Sequence, residues 1–197
     1  MPRPQMFLVA GMNGAGMNGA GKSTYTRSII NKFPALKVID PDAIAQSMTG
    51  SYATIGDKQI SAGKAALKHV RSYIKEKESF VVESTISGRV YLNYLQQANE
   101  AGFKTILIYV ALSSAQLSAE RVSARVSEGG HGIPLVDIQR RYPKSLNNLH
   151  AHIKSSDLAY IYDNSDNYTS VASFRDGTLY RDFHTPIWLA EYLHPFV

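Results

Sequence analysis

The chain has 197 residues, a formal net charge of +5 and no cysteine, so disulfides and thiolate chemistry are excluded. Its 44% hydrophobic and 19% charged residues are ordinary for a soluble globular protein, and the length suits one domain over residues 1–197. The longest apolar run, 106–112, is too short to span a bilayer, and no secretory signal precedes the first apolar segment, so we expect a cytoplasmic protein without membrane contact.

Apolar runs that predict β-strands alternate along the chain with segments of helical periodicity. Strands are expected at 6–10, 36–39, 80–82, 105–112 and 159–162. Helices are expected at 24–33, 43–48, 60–74 and 90–98, around 122–126, at 138–153 with a break or kink at Pro143, and at 186–193. Two more strands, 168–174 and 178–183, flank Asp176-Gly177 and predict a hairpin. The pattern predicts an α/β fold: a mostly parallel sheet with helices on both faces, then a C-terminal hairpin and short helix.

Two helices carry more detailed signals. In the long one, apolar or small residues recur at a spacing of three or four and predict its buried face: Ile60, Gly63, Leu67, Val70 and Ile74. The next helix is expected to end with Gly102 as its C-cap glycine.

The segment 16–23 fits G-x-x-x-x-G-K-[ST], the phosphate-binding loop, and lies between a predicted strand and a predicted helix. Its glycines allow backbone N–H groups at a helix N-terminus to point at a phosphate. Lys22 is expected to reach the β- and γ-phosphates, and Ser23 to hold Mg²⁺. The predicted nucleotide-binding residues are Gly16, Met17, Asn18, Gly19, Ala20, Gly21, Lys22, Ser23 and Thr24.

The phosphate loop contains an exact tandem repeat, because residues 11–15 and 16–20 both read Gly-Met-Asn-Gly-Ala. Only the second copy is followed by Gly-Lys-Ser, so it is expected to be the working loop. The first copy is then expected to bulge out between strand and loop, or to displace the second. We hypothesise that the repeat impairs nucleotide binding.

Carboxylates follow two predicted strands, at the sheet edge where ligands bind. Asp40, before Pro41, is expected to cap a helix and to contribute to a magnesium site. Asp42 is expected to take the proton from an attacking hydroxyl, although pure capping is the alternative. Glu83, with Ser84 and Thr85, is expected to contact the substrate; a solvated rim position is the alternative.

Arginines and a glycine-rich segment follow the fourth strand. Arg121 and Arg125 lie four residues apart and are expected to neutralise charge on the transferred phosphate, unless they form a solvated face. The segment 129–134 is expected to be a hinged lid. His131 within it is expected to contact the substrate, with a surface loop histidine as the alternative. For the pair Arg140-Arg141, catalysis and a solvated face are both open.

The order and spacing of these segments resemble the zeta-toxin family of small P-loop kinases, in its short chromosomal form. The matching stretches are 16–24, 38–42, 80–85, 119–125, 129–134, 137–142 and 162–165. The resemblance implies a kinase that uses ATP or GTP with Mg²⁺, acts on the sugar of UDP-N-acetylglucosamine and is restrained by a small antitoxin protein. It also implies that Asp42 is the catalytic aspartate, that Glu83 is the substrate-side glutamate, and that Arg121 or Arg125 stabilises phosphate. His131 falls near the place of a second lid arginine in the family.

The leading hypothesis is therefore an ATP-dependent kinase that phosphorylates a hydroxyl of a small anionic molecule, a nucleotide-sugar such as UDP-N-acetylglucosamine. Three alternatives stay open: an NTP-binding regulatory protein, a nucleic-acid kinase, and a relative silenced by the repeated segment. The basic pI near 9.3 is compatible with nucleic acid. The sequence has no long Lys/Arg run and no aromatic-basic motif, so we favour nucleotide-sized anions as partners.

Overall fold

The computed structural model describes residues 3–13, 22–48, 55–129 and 132–193. Within these ranges the strands are β1 (Gln5–Gly11), β2 (Lys37–Ile39), β3 (Phe80–Ser84), β4 (Lys104–Ala111), β5 (Leu158–Asp163), β6 (Thr169–Arg175) and β7 (Thr178–Asp182). The helices are α1 (Lys22–Lys32), α2 (Pro41–Ser47), α3 (Ile55–Glu76), α4 (Val90–Glu100), α5 (Ala115–Ser127), α6 (Leu135–Lys154) and α7 (Ile187–Leu193). One or two helices separate consecutive strands up to β5, as the sequence predicted.

The strands form one sheet in the order β2-β3-β1-β4-β5-β6-β7. The first five strands in this order run parallel, and β6 and β7 are antiparallel to their neighbours. β1 lies between β3 and β4, with Val9 opposite both Glu83 and Ile108. Because parallel strands bind ligands beyond their carboxyl ends, this order places the end of β1 beside the end of β3.

Alternate residues of the strands pack against helices on opposite faces of the sheet. On one face, Phe7 and Val9 form a buried cluster with Ile29 of α1. On the other, Met6 and Leu8 belong to a larger cluster that includes residues of α3, α4, α6 and α7. The predicted α/β fold, a mostly parallel sheet covered on both faces, is therefore confirmed. Among the described residues, we find no helix whose length and apolarity would suit a bilayer crossing.

The long helix α3 buries a different stripe from the one that the sequence predicted. Ala62, Ala66 and Val70 are buried, whereas Ile60 is 61% exposed. Leu67 packs only partly against the core. Small alanine side chains let a helix approach its neighbours closely, so side-chain size selects the buried face here as much as hydrophobicity does. The helix was predicted, but of the predicted face only Val70 is fully buried.

Local signals account well for the ends of several elements. Helix α4 is followed by Gly102 at φ +87°, the left-handed conformation expected of a C-cap glycine. Asp176 and Gly177 both have positive φ and join β6 to β7, so the predicted hairpin is confirmed. Of the break or kink predicted at Pro143, the break does not occur, since α6 is continuous from Leu135 to Lys154; the kink stays a prediction. Pro143 is exposed, so water can hydrogen-bond the carbonyl that its ring leaves without a partner.

Candidate active site

A cavity of about 260 Å³ opens at the carboxyl ends of the parallel strands. Its wall contains six of the residues that the sequence singled out: Lys22, Asp40, Asp42, Glu83, Ser84 and Thr85. They come from the start of α1, the β2–α2 junction and the end of β3. The sheet order thus brings together residues that are separated by up to about sixty positions in the chain.

Lys22 is the first residue of α1 and its ammonium group points back to the end of β1. The Nζ atom donates to the carbonyl oxygens of Gly11 at 3.3 Å and Met12 at 2.9 Å. Burial lowers the pKa of Lys22, and the nearby carboxylates of Glu83 and Asp42 partly oppose this shift. A buried ammonium group beside a strand end is suited to an anion that replaces these carbonyl partners.

Glu83 is almost buried, with 8% of its surface exposed, although it carries a carboxyl group. Burial raises its pKa, and the positive charge of Lys22 opposes that effect. The hydroxyl of Ser23 donates to Oε2 of Glu83 at 3.3 Å. The alternative, a solvated rim position, is therefore excluded: the side chain is enclosed beside the residues of the phosphate loop that the structure describes.

Asp40 and Asp42 have different local environments. Oδ1 of Asp40 accepts hydrogen bonds from the amides of Asp42 at 2.9 Å and Ala43 at 3.3 Å, and Pro41 occupies the first turn. The predicted N-cap is thus confirmed. The carboxylate of Asp42 takes no part in this cap, and its exposed side chain lines the cavity. Among the described residues, we find no hydrogen bond to the carboxylate of Asp42, whereas Asp40 uses one oxygen for its cap.

The loop after β3 is held in an unusual conformation beside the cavity. Ile86 has φ +46° and is 1% exposed, although a β-branched residue rarely adopts the left-handed region. Helix α6 fixes this loop, because Ser145 Oγ donates to the Thr85 carbonyl at 2.6 Å and Asn148 Nδ2 donates to the Ile86 carbonyl at 2.8 Å. Such strain persists only where the surrounding structure enforces it, and it is concentrated at functional sites. The position of Thr85 is therefore set by α6, whereas Ser84 is held in β3 by its pairing with β1.

The two predicted arginines of α5 have different surroundings. Arg121 donates to the backbone carbonyls of Asn164 and Ser165, both at 2.6 Å, and so anchors the loop that follows β5. Arg125 is close enough to Lys22 for its charge to contribute to the lowered pKa of that lysine. Arg125 is therefore the stronger candidate for a role beside Lys22, because Arg121 uses its guanidinium group to anchor a loop. The catalytic role of either one stays a prediction.

Several predicted site residues lie outside the described ranges. These are Gly16, Met17, Asn18, Gly19, Ala20, Gly21 and His131. The start of the first repeat copy is described, and it does not bulge out as expected. Gly11 pairs with Val110 in the β1–β4 ladder, Met12 is 2% exposed, and the Asn13 carbonyl accepts a hydrogen bond from Ser118. The repeat therefore begins inside the sheet, because the first glycine continues β1.

The cavity also contains residues that the sequence analysis did not assign to it. Its remaining wall includes Asn13, Leu67, Val90, Tyr91 and Arg141. For Arg141, the spacing from Asp137 in the sequence could have predicted an ion pair, since residues four apart in a helix are neighbours. The structure has this ion pair at 3.7 Å. The neighbouring Arg140 has the same acidic partner but does not line the cavity. Only the structure separates these two arginines.

Comparison with known proteins agrees with this architecture. Residues 14–141, more than half of the chain, match the AAA_33 family, which is described as an AAA domain. An uncharacterised protein of Haemophilus influenzae is 35% identical over 105 residues, which cover 53% of this chain and 74% of that protein.

Two solved structures share the fold at low sequence identity. One chain belongs to the PezAT chromosomal toxin–antitoxin system of Streptococcus pneumoniae, with a TM-score of 0.60 at 18% identity, covering 92% of this chain and 72% of that one. Another belongs to the AvrRxo1-ORF1:-ORF2 complex solved with ATP, with a TM-score of 0.71 at 17% identity. The match covers 98% of this chain but only 63% of the AvrRxo1 chain. The predicted resemblance to zeta-toxin-type P-loop kinases thus holds for the fold, and the chain belongs to the AAA_33 family of AAA domains.

Proposed function

We propose that this protein is an ATP-dependent phosphotransferase that phosphorylates a hydroxyl of a small anionic molecule. The observation that carries the proposal is the convergence of Lys22, Asp42 and Glu83 around one cavity at the end of β1. A cationic group for the donor phosphates and a carboxylate for the acceptor proton are the two groups that phosphoryl transfer needs from a protein. The family match and the fold support the same class of activity.

Each residue has a distinct part in the proposed reaction. Lys22 and the amides of the phosphate loop, 16–24, hold the β- and γ-phosphates of the donor. The acceptor oxygen attacks the γ-phosphorus, the bond to the bridging β–γ oxygen breaks, and ADP leaves. Asp42 takes the proton from the attacking hydroxyl, and Glu83 contacts the acceptor. Arg125 balances charge on the transferred group.

The residues present also fit a magnesium ion. The Ser23 hydroxyl lies 3.3 Å from the Glu83 carboxylate, and Asp40 uses one carboxylate oxygen for its cap. Oxygen ligands of this kind, one or two from the protein with the rest from phosphates and water, are what Mg²⁺ prefers. We assign Ser23 and Asp40 to the ion, with Glu83 beside them. When bound, Mg²⁺ neutralises charge that develops between the donor phosphates.

The donor and the acceptor are proposed from similarity together with the site. The AvrRxo1 complex was solved with ATP, which supports ATP as the donor, with GTP as the alternative. The resemblance to zeta toxins supports a nucleotide-sugar such as UDP-N-acetylglucosamine as the acceptor. The PezAT protein belongs to a toxin–antitoxin system, which supports a small antitoxin protein as a partner of this chain.

Transfer of labelled phosphate tests the proposal. The purified protein, with Mg²⁺ and γ-labelled ATP, is expected to phosphorylate at least one member of a panel of sugars, sugar phosphates and nucleotide-sugars. Lys22→Ala and Asp42→Ala should each abolish transfer, with a loss of about 100-fold or more, and leave thermal stability nearly intact. If the Asp42→Ala protein still transfers phosphate at the wild-type rate, Asp42 is not the catalytic base. ATP binding without transfer to any acceptor would favour the regulatory or silenced alternatives.

A further inference from the structure

Arg141 lies on the face of α6 that contacts the loop after β3. Arg141, Ser145 and Asn148 are spaced four and three residues apart, so they share one face of the helix. Ser145 and Asn148 donate to the carbonyls of Thr85 and Ile86 in that loop. Arg141, one turn earlier, reaches the cavity that Thr85 also lines. Arg141 and the loop after β3 therefore contribute to the same cavity.

This arginine keeps its hydrogen-bonding capacity for a ligand. Its Nη2 atom is 3.7 Å from Asp137 Oδ2, an ion-pair distance that is longer than a hydrogen bond. Arg140 instead donates to Oδ1 of the same carboxylate at 2.6 Å and holds the pKa of Asp137 below its ordinary value. Within the described part of the chain, we find no hydrogen bond from the Arg141 guanidinium group. Its planar fork of donors matches a phosphate or carboxylate.

The cavity that Arg141 lines also has an apolar part. Its wall includes the side chains of Leu67 and Tyr91, which suit the uncharged body of a small molecule. An arginine in this cavity, on the face of α6 that holds the loop after β3, is suited to the anionic group of a small acceptor.

We propose that Arg141 recognises the acceptor, the molecule whose hydroxyl is phosphorylated. It does so by donating hydrogen bonds to a phosphate group that the acceptor already carries. This inference rests on the proposed function and adds the residue that recognises the phosphate group of the acceptor.

Steady-state transfer with matched acceptors tests the inference. The acceptors are N-acetylglucosamine, which is neutral, and N-acetylglucosamine 1-phosphate and UDP-N-acetylglucosamine, which are charged. The variants are Arg141→Ala, Arg141→Lys and, as the matched control, Arg140→Ala. Arg141→Ala should lower kcat/KM for the charged acceptors about 10- to 100-fold, mainly through KM, and leave the KM for ATP unchanged. Arg141→Lys should lie in between, because it keeps the charge but loses the fork.

The control and the neutral acceptor decide the result. Arg140→Ala should change kcat/KM by less than about twofold, because the Arg140 side chain is 53% exposed and outside the cavity. Equal losses for charged and neutral acceptors, a raised KM for ATP in Arg141→Ala, or an equal loss in Arg140→Ala would each overturn the inference.

Direct binding separates this inference from the proposed function. If wild-type protein transfers phosphate to no acceptor, the proposed function fails. Calorimetric titration of N-acetylglucosamine 1-phosphate into the Lys22→Ala protein then tests Arg141 without any turnover and without the lysine of the phosphate loop. Binding that is lost when Arg141→Ala is added, but kept when Arg140→Ala is added, supports the inference. Binding that survives Arg141→Ala, or no binding at all, contradicts it.

Discussion

Deletion of residues 11–15 should strengthen nucleotide binding while it preserves the end of β1. Because 16–20 repeats the deleted segment, the deletion again places a glycine after Ala10. That glycine is required, since a Cβ at Gly11 would lie 2.2 Å from the Val110 carbonyl oxygen and φ there is +148°. The change therefore shortens only the connection between β1 and α1, from residues 12–21 to half that length.

The structure sets the size of the expected effect. The two ends of the connection meet, because Lys22 Nζ donates to the carbonyls of Gly11 and Met12 at 3.3 and 2.9 Å. In the general scaling of loop closure, the entropic cost of joining two chain positions grows as about (3/2)RT ln n, so halving the number n of residues between them lowers the cost by about 0.6 kcal/mol. We take this entropic cost as part of the free energy needed to form the phosphate-bound loop. Removing it should then raise ATP affinity at least about threefold, and better alignment of the loop amides would add to that increase.

Titration with a fluorescent ATP analogue, with and without Mg²⁺, measures this effect, and thermal unfolding of both proteins checks the fold. The control is Gly16→Ala in the two backgrounds. In the deletion variant it introduces a Cβ against Val110 and should destabilise the protein more than it does in the full-length chain, where Gly11 still occupies that place. Equal ATP affinity with and without the repeat, in proteins of equal stability, would refute the reasoning.

Two further predictions concern residues whose structural and catalytic roles differ. Arg121→Ala should lower the free energy of unfolding by about 1.5–3 kcal/mol, because it removes two hydrogen bonds from a charged group to the carbonyls of Asn164 and Ser165. Denaturant unfolding measures this change. Unchanged stability together with lost phosphate transfer would instead favour a catalytic role for Arg121. Asp40→Ala should lower the free energy of unfolding by about 1 kcal/mol through loss of the α2 cap, whereas Asp42→Ala should change it by less than about 0.5 kcal/mol. Thermal unfolding of the two variants side by side tests this difference. Equal destabilisation of both would contradict the prediction.

Features that depend on near neighbours in the chain were predictable from the sequence. The cap at Asp40 follows from an Asp-Pro pair before a helix, and the hairpin at Asp176-Gly177 follows from two residues that tolerate positive φ. The alternation of strands and helices, and hence the parallel sheet, followed from hydrophobic periodicity. The carboxyl ends of parallel strands share one sheet edge, so the convergence of Asp42 and Glu83 on the cavity was also within reach.

Features that depend on packing between distant segments were not predictable. The buried stripe of α3 is set by Ala62 and Ala66, whose small size matters only against the particular neighbours that the fold supplies. Glu83 is enclosed rather than solvated because Lys22 and Ser23, about sixty residues earlier, pack beside it. No local pattern reports such an environment.

The two adjacent arginines of α6 show the same difference between what the sequence predicts and what only the fold decides. By itself the sequence determined the phosphate-loop motif, the capped helix that follows β2 and an Asp-x-x-Arg-Arg spacing, because each of these depends on residues within about one or two helical turns. Only the tertiary structure decided that Arg141 enters the cavity while Arg140 stays outside, because the orientation of α6 is fixed by the hydrogen bonds of Ser145 and Asn148 to the loop after β3. Those contacts join segments about sixty residues apart, and chain-local preferences do not encode them.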